Sequence, residues 1–300
     1  MNVSKILRRS KTSKLRHSLD TKVIRSSNEL AKKYKDLGIE HVDGVWNRKH
    51  LKKFDVSKFR ADSIYVWQTR QFQEINYYLT YLYTLEIDKL GLVGRLKESG
   101  DYGVETFYFD NCKVSRDLMD SVIEINYLND LLSLSNQQDL HILDIGAGYG
   151  RFAHRILETF PKCNVTCIDA IPMSTSISRI YLDNFIQTNQ ATVHDLESLN
   201  EVKPKDFNLA VNIHSFSEMS LKSVKFWINF LVENEVEYLF VVPNGSELAL
   251  NDGTDFGLLL QEAGFEILDR REKYHFGEYS KFAIYPSTYY LLRRRGSCAI

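Results

Sequence analysis

Proline, cysteine and methionine are scarce in this chain of 300 residues, with five, four and four copies respectively. The four cysteines, Cys112, Cys163, Cys167 and Cys298, form no paired framework of the kind that holds small secreted domains together. Cys163 and Cys167 fall within a run typical of a buried strand, and no second pair accompanies them to complete a zinc site. We therefore expect buried, reduced thiols.

Long apolar runs are also missing. No stretch approaches the roughly 20 apolar residues of a membrane-spanning helix, and the charged N-terminal residues are not followed by the apolar core of a secretion signal. No repeat and no low-complexity linker is visible. These absences favour a cytoplasmic globular protein, whose 44% apolar content can bury one large core or two modest ones.

The formal net charge of −1 conceals an uneven distribution. Residues 1–60 contain 17 Lys and Arg against 6 Asp and Glu, a net of +11, so residues 61–300 carry −12. A basic arm is compatible with docking on nucleic acid or on a membrane surface. Its many serines favour a solvated, partly mobile tail instead. Because the chain has no aromatic RNA-reading strand, we expect no nucleic-acid partner.

A glycine-rich turn at 146–150 is the most informative feature. It follows the apolar run His141–Ile145 and precedes an amphipathic helical pattern over 152–160. A strand that turns into a helix presents free backbone N–H groups and the positive end of the helix dipole. Glycines permit a positive φ and close approach of a ligand. The turn predicts a site for an anionic or carboxylate-bearing cofactor, the alternative being a structural turn without a ligand.

The spacing of the glycines separates the cofactors. A dinucleotide fingerprint requires glycine at the position occupied by Arg151, and a P-loop requires a Lys-Ser or Lys-Thr pair that is missing. The order acid-x-Gly-x-Gly-x-Gly from Asp144 to Gly150 closely resembles that of Rossmann-like methyltransferases that use S-adenosyl-L-methionine (SAM). The resemblance implies that the cofactor-binding residues include Asp144, Gly146, Ala147, Gly148 and Gly150.

From residue 140 onward, apolar runs alternate with helical patterns. The predicted strands are His141–Ile145, Asn164–Asp169, Ala191–His194, Phe207–Ile213, Glu237–Pro243, Phe265–Arg271 and Thr288–Arg294. This alternation predicts an α/β fold with a Rossmann-like, seven-stranded, mostly parallel sheet. We divide the chain into a basic arm over 1–60, a helical region over 61–135 that covers the acceptor, and a SAM-binding domain over 136–300.

The helical region is predicted to contain two long helices. The first spans 62–99, where Phe72, Ile75 and Leu82 recur at helical spacing. The second spans 112–132 and is capped at Ser115.

Parallel strands bring candidate binding residues to one edge of the sheet. Asp169 ends the second strand, where a carboxylate can accept from both ribose hydroxyls of an adenosyl group, or else form a turn or helix cap. Asp195 ends the third strand, where it either accepts from the adenine amino group or forms a turn. Ala170 and Asn212, at the second and fourth strands, complete the predicted cofactor-binding set.

The segment Asn212–Met219 begins at the end of the fourth strand and continues past its tip, where the methyl acceptor usually sits in this class. Asn-Pro-Pro-Tyr, which marks methylation of exocyclic base amines, is absent. Hydroxyls are poor nucleophiles near neutral pH, and a histidine, with an ordinary pKa of about 6.5, suits removal of their proton. We predict His214 and Glu218 as catalytic. The alternatives are a structural His214 and a Glu218 that orients the ring, binds a hydroxyl or caps the next helix.

Three segments resemble the bacterial sugar O-methyltransferase family: Asn212–Met219, Val114–Tyr127 and Ile168–Pro172. The similarity covers about residues 65–295 and departs from the family at Arg179–Tyr181, where paired tyrosines are common. It implies SAM-dependent methylation of a hydroxyl on a surface polysaccharide or glycosylated metabolite precursor. Methylation of another small molecule on oxygen or nitrogen, and a non-catalytic SAM-binding module, are the alternatives. No metal-ligand spacing is recognisable, so we assign no metal.

Overall fold

A computed structural model describes residues 21–35, 55–62, 72–186, 189–203 and 206–296. The helices are α1 (residues 21–35), α2 (Glu74–Ile87), α3 (Leu92–Arg95), α4 (Arg116–Leu132), α5 (Arg151–Thr159), α6 (Pro172–Phe185), α7 (Ser215–Glu218), α8 (Leu221–Glu233), α9 (Gly257–Glu262) and α10 (Tyr279–Phe282). The strands are β1 (Phe107–Phe109), β2 (Cys112–Val114), β3 (His141–Ile145), β4 (Asn164–Ile168), β5 (Ala191–His194), β6 (Leu209–Ile213), β7 (Tyr238–Val242), β8 (Phe265–Glu272) and β9 (Thr288–Arg294).

Seven strands form one sheet in the order β5-β4-β3-β6-β7-β9-β8. The pairs from β5 to β7 are parallel, and β9 is antiparallel to both of its neighbours, β7 and β8. This arrangement confirms the predicted seven-stranded, mostly parallel sheet. Strand β3 lies between β4 and β6, so the sheet grows from β3 in one direction through β4 and β5 and in the other through β6 and β7. Ligands bind at such a reversal of strand order in open α/β sheets.

The sheet separates two hydrophobic cores because successive strand residues face opposite sides. Ile142 and Phe240 pack in the core that α4, α5 and α6 cover. Leu143 and Leu239, each one position away, pack in the core beneath α8 and α9. Strands β3 to β6 are parallel, so their carboxyl ends lie at one edge of the sheet, and the functional loops meet at that edge.

The helix predicted over 62–99 differs from α2 in length and in orientation. Residues 63–71 lie outside the described part of the chain, and α2 ends at Ile87. Its buried face is only partly the predicted one: Phe72 and Leu82 pack against the core, whereas Ile75 is 53% exposed and Tyr77 is buried. Tyr77 can be buried at low cost because its hydroxyl donates to Asp62 Oδ2 at 2.6 Å.

Strands β1 and β2 form an antiparallel hairpin that we did not predict from the sequence. Asp110 and Asn111 make its two-residue turn, with φ of 46° and 66°. The helix predicted to begin at Cys112 therefore begins later, as α4. Its cap is as predicted: Ser115 Oγ accepts from Leu118 N at 3.1 Å.

Residues 21–35 form helix α1, although the sequence analysis places them in a partly mobile arm. Val23, Leu30 and Tyr34 are at most 4% exposed and belong to the two cores. Ser176 Oγ on α6 donates to Ser26 Oγ at 3.0 Å. This part of the arm packs on the sheet domain, while residues 1–20 and 36–54 lie outside the described residues. The three-part domain division stays a prediction.

Among the described residues, no helix is both long and apolar enough to cross a bilayer. Cys112, Cys163 and Cys167 are free thiols, and burial raises the pKa of Cys163 to about 12. Cys298 lies outside the described residues.

Candidate cofactor and acceptor site

The glycine-rich turn between β3 and α5 is held close to neighbouring loops. Gly146, Gly148 and Gly150 have φ of 73°, 59° and 89°, values at which a side chain is strained. A Cβ atom at position 146 would lie 2.0 Å from Ser215 Oγ, so the approach of α7 requires glycine there. Gly146 N donates to Ile168 O at 2.8 Å, which ties the turn to the end of β4.

Asp169 connects the tip of β4 to this turn. Its Oδ2 accepts from Gly148 N at 2.9 Å and its Oδ1 accepts from Ile171 N at 2.7 Å. Burial raises the pKa of Asp169 to about 7, and the two backbone hydrogen bonds partly oppose that rise. Each oxygen keeps a further lone pair, so the carboxylate can still accept from a ligand hydroxyl. Ala147 lies within the turn, and Ala170 is buried beside Asp169.

Asp144, one residue before the end of β3, has a buried carboxyl oxygen with no partner. Its Oδ2 makes no hydrogen bond to any described residue. Burial raises the pKa of Asp144 to about 7, although the charge of Arg151 acts against the rise. A buried acceptor without a donor costs free energy, so this oxygen is suited to a donor that a ligand brings.

Asp195 and Asn212 are engaged within the protein. Asp195 Oδ1 lies 2.5 Å from Arg179 Nη2. Asn212 Nδ2 donates to Ile145 O at 2.9 Å and to Ser215 Oγ at 2.6 Å, which uses both of its hydrogens. Asn212 thus fixes the tip of β6 against β3. The cofactor contacts expected of these two residues stay predictions.

His214 occupies the tip of β6 in a sparsely populated backbone conformation, with φ of 70°. Its N donates to Val242 O at 2.7 Å, which holds the backbone against β7. Its Nδ1 is buried and has no hydrogen-bond partner in the described part of the chain. Burial lowers the pKa of His214 to about 4, and the charge of Arg151 lowers it further, so the ring is neutral near pH 7.

Glu218 is the last residue of α7, four positions after His214. It is close enough to Asp169 for its charge to raise the pKa of that carboxyl. Helix α8 is capped by Ser220, whose Oγ accepts from Ser223 N at 3.2 Å, so this cap does not require Glu218. Because Nδ1 of His214 has no partner among the described residues, Glu218 does not orient the ring through that atom.

Buried charges beside His214 were missed in the sequence analysis. Lys273 Nζ lies 2.5 Å from Asp120 Oδ1, and Arg151 forms two hydrogen bonds to Glu124, of 2.8 and 2.9 Å. Charges from this group act on the His214 ring. The available signal was the row of polar residues along the otherwise apolar α4. We refer to the following residues as the polar cluster: Arg116, Asp120, Glu124, Arg151 and Lys273.

Residues 127–239 match a family profile described as the methyltransferase small domain. The match runs from α4 into β7 and includes the glycine-rich turn, Asp169 and His214. With the strand order β5-β4-β3-β6-β7-β9-β8, it decides the fold class. This is the class I SAM-dependent methyltransferase fold. The profile match indicates methyl transfer as the reaction and SAM as the cofactor.

Other comparisons are more distant. No curated protein is significantly similar to the chain. Magnesium protoporphyrin IX methyltransferase from Synechocystis is 13% identical, with 76% of this chain and all of that chain covered and a TM-score of 0.45. A SAM-dependent methyltransferase from Aquifex aeolicus is 16% identical, with 55% and 88% covered and a TM-score of 0.40. The [4+2]-cyclase SpnF is 15% identical, with 74% and 95% covered and a TM-score of 0.45. These similarities assign no substrate.

The turn and the two carboxyl groups beside it, of Asp144 and Asp169, fit the hydrogen-bonding groups of SAM. SAM has an ammonium group and two ribose hydroxyls that can donate, and the site offers the unpartnered Asp144 Oδ2 and the spare lone pairs of Asp169. The space beside Gly146 is too narrow for a Cβ atom. No group of three or more His, Cys, Asp or Glu side chains suited to a metal ion occurs among the described residues.

Proposed function

We propose that this protein is a SAM-dependent O-methyltransferase that acts on a sugar hydroxyl, with His214 as the general base. The observation that carries the proposal is the neutral ring of His214, whose buried Nδ1 has no partner in the described residues. It lies at the strand tip next to the tip that holds the glycine-rich turn, as the pairing of β3 with β6 shows.

The division of labour follows from the residues around the turn. Bound SAM supplies an electrophilic methyl group on its sulfonium. Asp144 and Asp169 bind and orient the cofactor, and Asn212 keeps the tip of β6 in place beside the turn. His214, neutral near pH 7, accepts the hydroxyl proton of the acceptor as the oxygen is methylated. Since a pKa of about 4 makes the ring a weak base, proximity and orientation contribute much of the rate.

A sugar acceptor is supported by the three segments that resemble sugar O-methyltransferases, because all three contact the glycine-rich turn or the helix after it. From Val114–Tyr127, Glu124 binds Arg151. From Ile168–Pro172, Asp169 accepts from the turn. From Asn212–Met219, Ser215 packs against Gly146.

The experiment that tests the proposal is incubation of the full chain with SAM labelled in its methyl group and a panel of nucleotide sugars and glycans. Mass spectrometry then locates the methyl group. Methylation of a sugar oxygen is the expected result. Methyl transfer only to non-sugar acceptors or to nitrogen would favour another small-molecule methyltransferase, and SAM binding without any transfer would favour a non-catalytic module. The cytoplasmic location and the absence of a nucleic-acid partner stay predictions.

A further inference from the structure

Helix α1 crosses the loops that follow β4 and β5. Tyr34 is 4% exposed and packs in the same core as Ala170, after β4, and Leu196, after β5. Its hydroxyl accepts from Leu196 N at 3.4 Å. The tips of these two strands are where the ribose and adenine of SAM are expected, so α1 lies against the adenosine side of the cofactor site.

Tyr34 also reaches the residue that supports Asp169. Burial raises the pKa of Tyr34, and the nearby side chain of Thr175, whose Oγ1 donates to Asp169 O at 3.0 Å, opposes that rise. The tyrosine thereby lies beside both strand tips, next to Leu196 on one side and to Thr175 on the other.

An ion-pair group fastens the end of α1 beside the same loops. Lys33 Nζ lies 2.9 Å from Glu197 Oε2 and 4.0 Å from Asp195 Oδ2. The other oxygen of Asp195 is bound by Arg179 of α6. Asp195 therefore has cations facing both of its oxygens, which suits it to joining α1 to α6 better than to accepting from an adenine amino group.

We infer that Tyr34, delivered by α1, forms the wall of the cofactor site on its adenosine side, and that Asp195 holds this wall in place through Lys33 and Arg179. The inference rests on SAM being the cofactor. Tyr34 packs in the same core as Ala170, and an aromatic ring at that place would give a planar base a flat apolar neighbour. Because binding and docking are reciprocal, SAM should also hold α1 more firmly on the domain.

The test is to measure by calorimetry how tightly the full chain binds SAM and 5′-methylthioadenosine. The second ligand keeps the adenosyl group and lacks the amino-acid part. Tyr34→Ala should weaken both ligands by about tenfold or more, and by the same factor, since only adenosyl contacts are lost. Tyr34→Phe keeps the ring and should stay within about threefold of wild type. Val23→Ala is the matched control: this residue is 1% exposed on the same helix but packs in the other core.

Affinity in Tyr34→Ala that matches wild type would overturn the inference, and so would an equal loss in Val23→Ala, because the helix would then act only through its docking. Loss of SAM affinity with full retention of 5′-methylthioadenosine affinity would also overturn it, since Tyr34 would face the amino-acid part. Wild-type protein that binds neither ligand would defeat the proposed function as well, which separates the two failures.

Discussion

At the scale of single residues, His214 shows how burial changes a role that sequence suggests. An ordinary histidine titrates near 6.5, whereas burial lowers the pKa of His214 to about 4. The ring is then neutral through the physiological range. Burial keeps the base free of a proton and also makes it weak, so positioning has to supply part of the rate.

Protonation of His214 should therefore lower kcat only at a pH well below the ordinary pKa of histidine. We expect kcat to change little from about pH 8 to pH 5.5 and to fall as pH drops toward 4, because the imidazolium cannot accept a proton. His214→Ala should lower kcat by about 10²–10⁴ and leave the Kd for SAM near wild type. A variant with full turnover, or one that loses SAM affinity in step with kcat, would leave His214 a structural residue.

The raised pKa of Asp144 predicts that the free energy of unfolding falls as pH rises, whereas kcat is expected to fall as pH drops. Its folded pKa of about 7 exceeds the ordinary value of 3.8, so the folded state binds the proton more tightly than the unfolded state does. Stability is therefore lost as pH rises through this window. In the cofactor-free protein, Asp144→Asn should gain in unfolding free energy relative to wild type between pH 4 and pH 8, by a few kcal/mol at roughly 1.4 kcal/mol per unit.

Chemical denaturation across that pH range measures the difference. Asp101→Asn, which alters an exposed carboxylate, is the control and should show no such trend. A flat difference for Asp144→Asn would mean that the carboxyl ionises in the folded protein as readily as in water.

At the scale of elements, the contact between the glycine-rich turn and α7 makes a sharp prediction. Gly146→Ala should abolish SAM binding, because its Cβ atom would stand 2.0 Å from Ser215 Oγ and 2.4 Å from Ser215 Cβ. Calorimetry with SAM measures the effect. Adding Ser215→Gly removes both atoms and should restore part of the affinity, with the strain at φ of 73° remaining. Gly94→Ala, with nothing within 4 Å, is the control. Unimpaired binding in Gly146→Ala would exclude the turn as the cofactor cradle.

The elements that sequence predicted well are those whose pattern is local. Buried parallel strands read as short apolar runs between helices, so the predicted His141–Ile145 matches β3 residue for residue. The hairpin of β1 and β2 was missed although Asp110-Asn111 suits a two-residue turn with positive φ at both positions. The face of α2 was only partly predicted, because a hydroxyl partner such as Asp62 lets Tyr77 be buried while Ile75 is exposed.

At the scale of the whole molecule, long-range charge pairing is what the sequence does not reveal. Arg60 binds Glu98 at 2.9 Å and Asp117 at 3.3 Å, and all three side chains are almost fully buried. Lys273, which comes after β8, pairs with Asp120 of α4. Spacing along the chain carries no signal for partners 153 positions apart. The strand-tip residues could be listed from sequence, whereas the polar cluster, four of whose five charges act on His214, required the fold.

Helix α1 extends the folded molecule beyond what the sequence analysis assigned to it, and stability measurements can test this. Leu30 is 4% exposed, and Ile24, on the same helix, is 48% exposed. Leu30→Ala should lower the unfolding free energy by about 2–4 kcal/mol, because it leaves a cavity in the core. Ile24→Ala should change it by less than about 0.5 kcal/mol. Denaturant unfolding of both variants gives the comparison. If Leu30→Ala were as mild as Ile24→Ala, α1 would add nothing to the fold and would be the solvated tail that its basic composition predicts. A large difference would make α1 part of the cooperative unit, so removing residues 1–35 would then destabilise the entire sheet domain.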